Sequence, residues 1–192
     1  FKGNGHTISD LTITGQYSPA GLFGIVEEQG SIESLSVRGV VSVSDSADTT
    51  TGGIVGINHG TLINCQFTGV VTGDSEVGGI VGRNESEGTI DHSTARAIVT
   101  GKSSTGGIAG YNLGAITGCT NVGSINTEYP EASLDTDGFT AKMVDYINNK
   151  MAAADNDATN SVTNVATDTG GIAGRSSGMI LTSVNTGTIG YE

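Results

Sequence analysis

Short apolar runs recur along the chain, each too brief for a helix, and glycines separate them. The block Gly21-Leu22-Phe23-Gly24 returns as Gly53-Ile54-Val55-Gly56, Gly79-Ile80-Val81-Gly82, Gly107-Ile108-Ala109-Gly110 and Gly171-Ile172-Ala173-Gly174. The closing glycines stand 32, 26, 28 and 64 residues apart. The last interval is about two repeat lengths, so it holds either a degenerate repeat or an insertion. A second glycine follows each block, at Gly30, Gly60, Gly88, Gly114 and Gly178, and it aligns the remaining columns. Two residues on stand Ile32, Leu62, Ile90, Ile116 and Ile180; five on, Leu35, Cys65, Ser93, Cys119 and Ser183. Nine on stand Gly39, Gly69, Ala97, Gly123 and Gly187; eleven on, Val41, Val71, Val99, Ile125 and Ile189.

Where alternation is visible its period is 2, as at Leu35 and Val37 or Val41 and Val43, which marks strands. One copy cannot bury its apolar face alone, but stacked copies can, with matching columns about 4.8 Å apart. The pattern therefore predicts an all-β fold, a parallel β-helix (β-solenoid). The twist of β-strands favours a right-handed coil of about five to six turns. The small Gly and Ala columns suit tight corners, which glycine turns with φ > 0. Asn58, Asn84 and Asn112 form a polar column, expected as an asparagine ladder sealing one corner, with Val26 and Ser176 breaking it at the ends.

The blocks at 21–24, 52–56 and 78–82, with Asn64-Cys65 leading to Gly69 and the opening Phe1-Lys2-Gly3-Asn4-Gly5-His6-Thr7-Ile8-Ser9-Asp10-Leu11, resemble the GLUG repeat. The resemblance covers residues 1–126 and 170–191. It implies a setting in large cell-surface and secreted proteins of bacteria, among them regions upstream of the catalytic domain in immunoglobulin A-specific metalloproteases. The chain opens inside a patterned segment and reads as one solenoid domain within a longer parent chain.

Residues 127–169 leave the columns. Their middle, 138–154, has Phe139, Met143, Val144, Ile147 and Met151 at helical spacing behind an N-cap at Asp137, so an inserted amphipathic helix is expected there. Its apolar face is expected to lie on the solenoid wall. Tyr129, Phe139, Lys142, Tyr146 and Lys150 are the candidate partner-binding residues, because departures from a repeat are common places for function.

Composition narrows the chemistry. Gly numbers 31 and Pro 2, without a Gly-X-Y period, so the chain is not collagen-like. A net charge of −12 argues against nucleic acid and anionic membranes as partners. No apolar run approaches the roughly 18 residues of a membrane span. His6, His59 and His92 lack partners at ligand spacing, and His-Glu-x-x-His is absent, so no catalytic metal site or other cofactor is expected; the loop pairs Asp135 and Asp137 or Asp155 and Asp157 leave calcium open, though neither sits in an EF-hand pattern. Cys65 and Cys119 share a column two turns apart, roughly 9 to 10 Å, too far for a disulfide. Glu27, Glu28, Asp74, Glu76, Glu85, Glu87 and Asp91 form no repeated column, and Arg83 and Arg175 share one without being neighbours. Thr61 and Thr89 match, but Ser31, Ala115 and Met179 fill the same column, so a regular threonine array for ice is not built.

These observations point to a non-catalytic structural or interaction module, a spacer or adhesin-like segment outside the cell. Its expected partners are a host protein or glycan and the flanking domains of the parent. The alternative is an accessory, substrate-docking region of a surface metalloprotease or other hydrolase.

Overall fold

A computed structural model describes residues 1–43, 49–127 and 167–190. The short runs become short strands, which wind as a parallel β-solenoid of four sheets. β1 (Thr7–Gly15) opens the stack, followed by β2 (Phe23–Val26), β3 (Ser31–Glu33) and β4 (Ser36–Val43). In the first turn the fourth side is only a bridge between Ala20 and Thr51. The next turn comprises β5 (Thr51–Gly52), β6 (Val55–Asn58), β7 (Thr61–Ile63) and β8 (Gln66–Thr72). The following one repeats it as β9 (Val77–Gly78), β10 (Val81–Asn84), β11 (Thr89–Asp91) and β12 (Thr94–Thr100). The next carries β13 (Ser103–Gly106), β14 (Ala109–Asn112), β15 (Ala115–Thr117), β16 (Thr120–Asn121) and β17 (Ser124–Ile125). The last is β18 (Thr167–Gly170), β19 (Ala173–Ser176), β20 (Met179–Leu181) and β21 (Val184–Asn185).

The solenoid thus has about four turns with a strand on every side, not five to six. The difference has two causes. The 21–24 block belongs to a turn with a bridge in place of a strand. The 64-residue interval contributes no turn, because β13, β14 and β15 pair directly with β18, β19 and β20. That interval therefore holds an insertion. The helix expected near 138–154 lies outside the described residues, and among the described residues there is no helix.

The column register is the one the glycines predict. Ile32, Leu62, Ile90, Ile116 and Ile180 are successive partners, as are Val41, Val71, Val99, Ile125 and Ile189. These inward columns, with Ile54, Ile80 and Ile108, fill the lumen, and each such buried side chain contributes about 1.5–3 kcal/mol.

The glycines of the repeated block serve space rather than left-handed backbone. A Cβ on Gly53 would lie 2.5 Å from the Phe67 ring across the lumen, and one on Gly79 would strike the Gly107 carbonyl and come within 3.0 Å of Ala95. A Cβ on Gly82 would lie 2.7 Å from the Thr51 nitrogen of the preceding turn. Left-handed backbone recurs instead along a corner column, Ser34, Asn64, His92, Gly118 and Thr182, with φ of 53, 53, 45, 60 and 46°, and at a second corner in Ser104 and Asp168, with φ of 45 and 56°. Short polar residues tolerate that region better than branched ones.

The two kinds of position separate in one denaturation series. Gly79→Ala is expected to cost about 2 kcal/mol by overpacking. His92→Gly is expected to be neutral or to stabilise by up to about 1 kcal/mol, relief of strain offsetting the freer unfolded chain. Urea midpoints that rank the two variants the other way would remove this account of the glycines.

Candidate functional site

Three polar columns run through the stack, and each is built so that one turn completes the hydrogen bonding of the next. Asn58, Asn84 and Asn112 end β6, β10 and β14 and are fully buried. The Nδ2 of Asn58 donates to Oδ1 of Asn84 at 2.8 Å, and Asn84 Nδ2 donates to Asn112 Oδ1 at 2.8 Å. The other amide hydrogens go to carbonyls of the adjoining loops, those of Gly60, Gly88 and Gly114. Val26 stands above Asn58, so the Asn58 oxygen accepts the Gly60 N–H instead. At the far end the column does not break: Ser176 Oγ accepts from Asn112 Nδ2 at 3.1 Å.

A second ladder repeats this arrangement on another side. Asn121 Nδ2 donates to Asn185 Oδ1 at 2.7 Å, while the Asn121 oxygen accepts the Gly123 N–H at 3.1 Å. Its column reads Val37, Phe67, Ala95, Asn121 and Asn185. The change from apolar to amide within one column hides it in the sequence. The signal available was the pair of asparagines seven residues past Gly114 and Gly178.

The third column is the one holding the cysteines. The backbone N–H of Cys65 donates to Ser93 Oγ at 3.1 Å, that of Ser93 to Cys119 Sγ at 3.5 Å, and that of Cys119 to Ser183 Oγ at 3.2 Å. Each side chain returns its own hydrogen to the carbonyl two residues back, as Cys65 does to Ile63 and Ser93 to Asp91. Both thiols are free and buried, as expected, and the Cys119 sulfur also accepts the Ser93 N–H, which a purely apolar filler could not. Burial pushes both thiols up from the ordinary value of 9.0, Cys119 to about 11.

Several charged residues on the outside are held in pairs. Arg83 donates through Nη1 to Glu76 at 2.9 Å and through Nε to Glu85 at 2.7 Å, and Thr50 Oγ1 donates to the other Glu76 oxygen. Lys102 pairs with Asp74, and His92 Nδ1 lies 2.8 Å from Asp91. On the outer wall formed by β10, β14 and β19, Arg83, Tyr111 and Arg175 are successive partners. Their guanidinium carbons sit 5.2 and 5.4 Å from the Tyr111 ring centre, so the two arginines that share a column are joined through one ring. Among the described residues no group of three or more His, Cys, Asp or Glu side chains converges as a metal site would require. Tyr129, Phe139, Lys142, Tyr146 and Lys150 lie outside the described residues.

Residues 73–100 match the family model described as the GLUG motif. The chain carries the GLUG motif. The matched GLUG segment contains β9 to β12, one full turn with Asn84 and Ser93 from two of the ladders. The chain is also 36% identical over 96 residues to halomucin of Haloquadratum walsbyi (strain DSM 16790 / HBSQ001). That match takes in 50% of this chain and 1% of halomucin's own length. No solved structure matches.

Two tests follow from the ladders. Asn84→Ala removes a link whose neighbours, Asn58 and Asn112, then lose buried partners, at a cost of about 3 kcal/mol in urea unfolding. Asn185→Ala, at the half-exposed end of the second ladder, is expected to cost about 1 kcal/mol. The thiols supply a pH test. Their folded pKa values lie above 9.0, so their contribution is whole below pH 9 and is lost as pH rises toward about 11. The double variant Cys65→Ser, Cys119→Ser keeps the column's hydrogen bonding and is expected to lose less stability than the native chain between pH 8 and pH 10.5. Equal losses in both proteins would discard the thiol contribution.

Proposed function

We propose that this chain is a non-catalytic structural and interaction module of a surface or secreted protein, a stiff platform that positions other parts of its parent. The observation that carries this reading is the fate of its polar side chains. Asparagines, serines and cysteines that could have served chemistry are used in turn-to-turn hydrogen bonds, and Glu76, Glu85 and Asp74 on the outer wall are tied to Arg83, Lys102 and Thr50. The GLUG motif and the similarity to halomucin support a repeat module in such a protein.

Geometry refines the spacer idea. Val55 and Val81 are partners, so one turn of 26 residues advances the stack by one strand spacing, about 4.8 Å. A helix of the same length would advance about 39 Å. Reach is therefore poor and the gain is a broad, rigid wall, which suits presentation of a surface better than distance.

Pulling the chain between marker domains tests the reading. The stack is expected to unzip turn by turn, the turns of 26 to 32 residues each releasing about 90 to 110 Å of contour. A single low-force extension, or hydrolysis of polysaccharide or peptide by the purified chain that Glu76→Gln abolishes, would sink it.

A further inference from the structure

One wall of the solenoid is shielded on its outside, in the middle of the stack. In the sheet of β1, β4, β8, β12, β16 and β21 an outward column runs Thr12, Val40, Val70, Ile98 and Ser124. It alternates with the inward columns of Gly39 and Val41, so its side chains point away from the lumen. Val70 and Ile98 accordingly take no part in the core that fills the lumen. Yet Val70 is only 2% exposed and Ile98 8%, and Ser42, Thr68 and Ser124 on the same face are buried with them.

Neighbours on the wall are too short to do this. Val70 is framed by Thr68 and Thr72 along its strand and by Val40 and Ile98 across it. Ile63, outward on the adjoining wall, lies between the longer Glu33 and Asp91 and is still only half-buried. Every described strand belongs to one of the four sides, so none is left to lie across this one. The five residues between Val43 and Thr49 have to join those two positions.

Three observations name the occupant. The 39 residues between Thr127 and Thr167 leave the stack at this wall, because β17, just before them, pairs with β12 at Ile98 and Val99. Their sequence carries the apolar stripe Phe139, Met143, Val144, Ile147 and Met151. Their charge is opposite to the wall's: residues 128–166 hold seven carboxylates against two lysines, whereas Arg38 and Arg96 are the only charged residues of β4, β8 and β12.

We propose that residues 128–166 dock across this wall, with the 138–154 stripe seated on Val40, Val70 and Ile98. The insertion is then a second layer held at one place on the solenoid, and its far side is the surface that the platform displays. That last step rests on the platform reading above; the docking does not.

Limited trypsin digestion of the 192-residue chain, read by mass spectrometry at Lys142 and Lys150, is the test. Both sites are expected to be cut at least about tenfold more slowly than in a free peptide of residues 128–166. Val70→Asp with Ile98→Asp is expected to remove most of that protection, while Arg83 within β10 stays uncut and so reports an intact stack. Ile63→Asp, outward on the adjoining wall, is expected to leave the protection unchanged. Ile98→Cys combined in turn with Phe139→Cys, Met143→Cys and Ile147→Cys is expected to form a disulfide within one chain in at least one pair under mild oxidation. Cutting as fast as in the free peptide, protection untouched by the double variant or lost equally with Ile63→Asp, or disulfides that join only separate chains would each overturn the proposal, the last by making a second copy the occupant.

Discussion

Parallel stacking in register is the constraint on which everything else in this protein rests. A β-turn of this length has no interior of its own. Its apolar side chains and its buried amides and hydroxyls are completed only by the same position in the neighbouring turn. Asn84 shows this most directly: one neighbour fills its oxygen, the other takes its hydrogen, and its own loop takes the remaining hydrogen. A slip of one residue would set the Asn84 amide against Ile57 and bring the inward Ile90 into line with the outward Thr61. Register is therefore specified many times over, although each strand is only two to nine residues long.

The ladders give the stack a direction. In all three polar columns the hydrogen is donated toward the C-terminal end. All three begin under an apolar residue, Val26, Leu35 or Ala95. The first amide of each asparagine ladder then turns its oxygen to its own loop. Each turn accordingly offers donors to the turn that follows it and acceptors to the turn before it.

Most of this was legible in the chain because a repeat states the same contact several times. Five copies of the Ile32 column name an inward position without any structure, and the Asn58 column names a ladder. What was not legible was whatever changed type along a column. Asn121 and Asn185 sit beneath Ala95 and Phe67, so the second ladder looks like noise in a vertical reading. Met179, Leu181 and Val184 look like ordinary apolar residues of a β-protein until the register places them on the outside. The role of the block glycines was hidden for a different reason. Composition cannot distinguish a glycine needed for its φ from one needed because another backbone occupies the space, and here the left-handed corner belongs to Ser34, Asn64 and His92. The five candidate binding residues between Tyr129 and Lys150 fall outside the described residues.

The direct pairing of β13, β14 and β15 with β18, β19 and β20 has a consequence for how such a chain can change. Neighbouring turns find one another through their columns, not through the length of chain that joins them, and closing a longer loop costs only about 0.6 kcal/mol per doubling. The corner between Thr127 and Thr167 already accommodates 39 intervening residues without shifting a single column on either side. It is a natural graft point, where new sequence can be acquired, exchanged or lost while the scaffold's architecture is inherited unchanged.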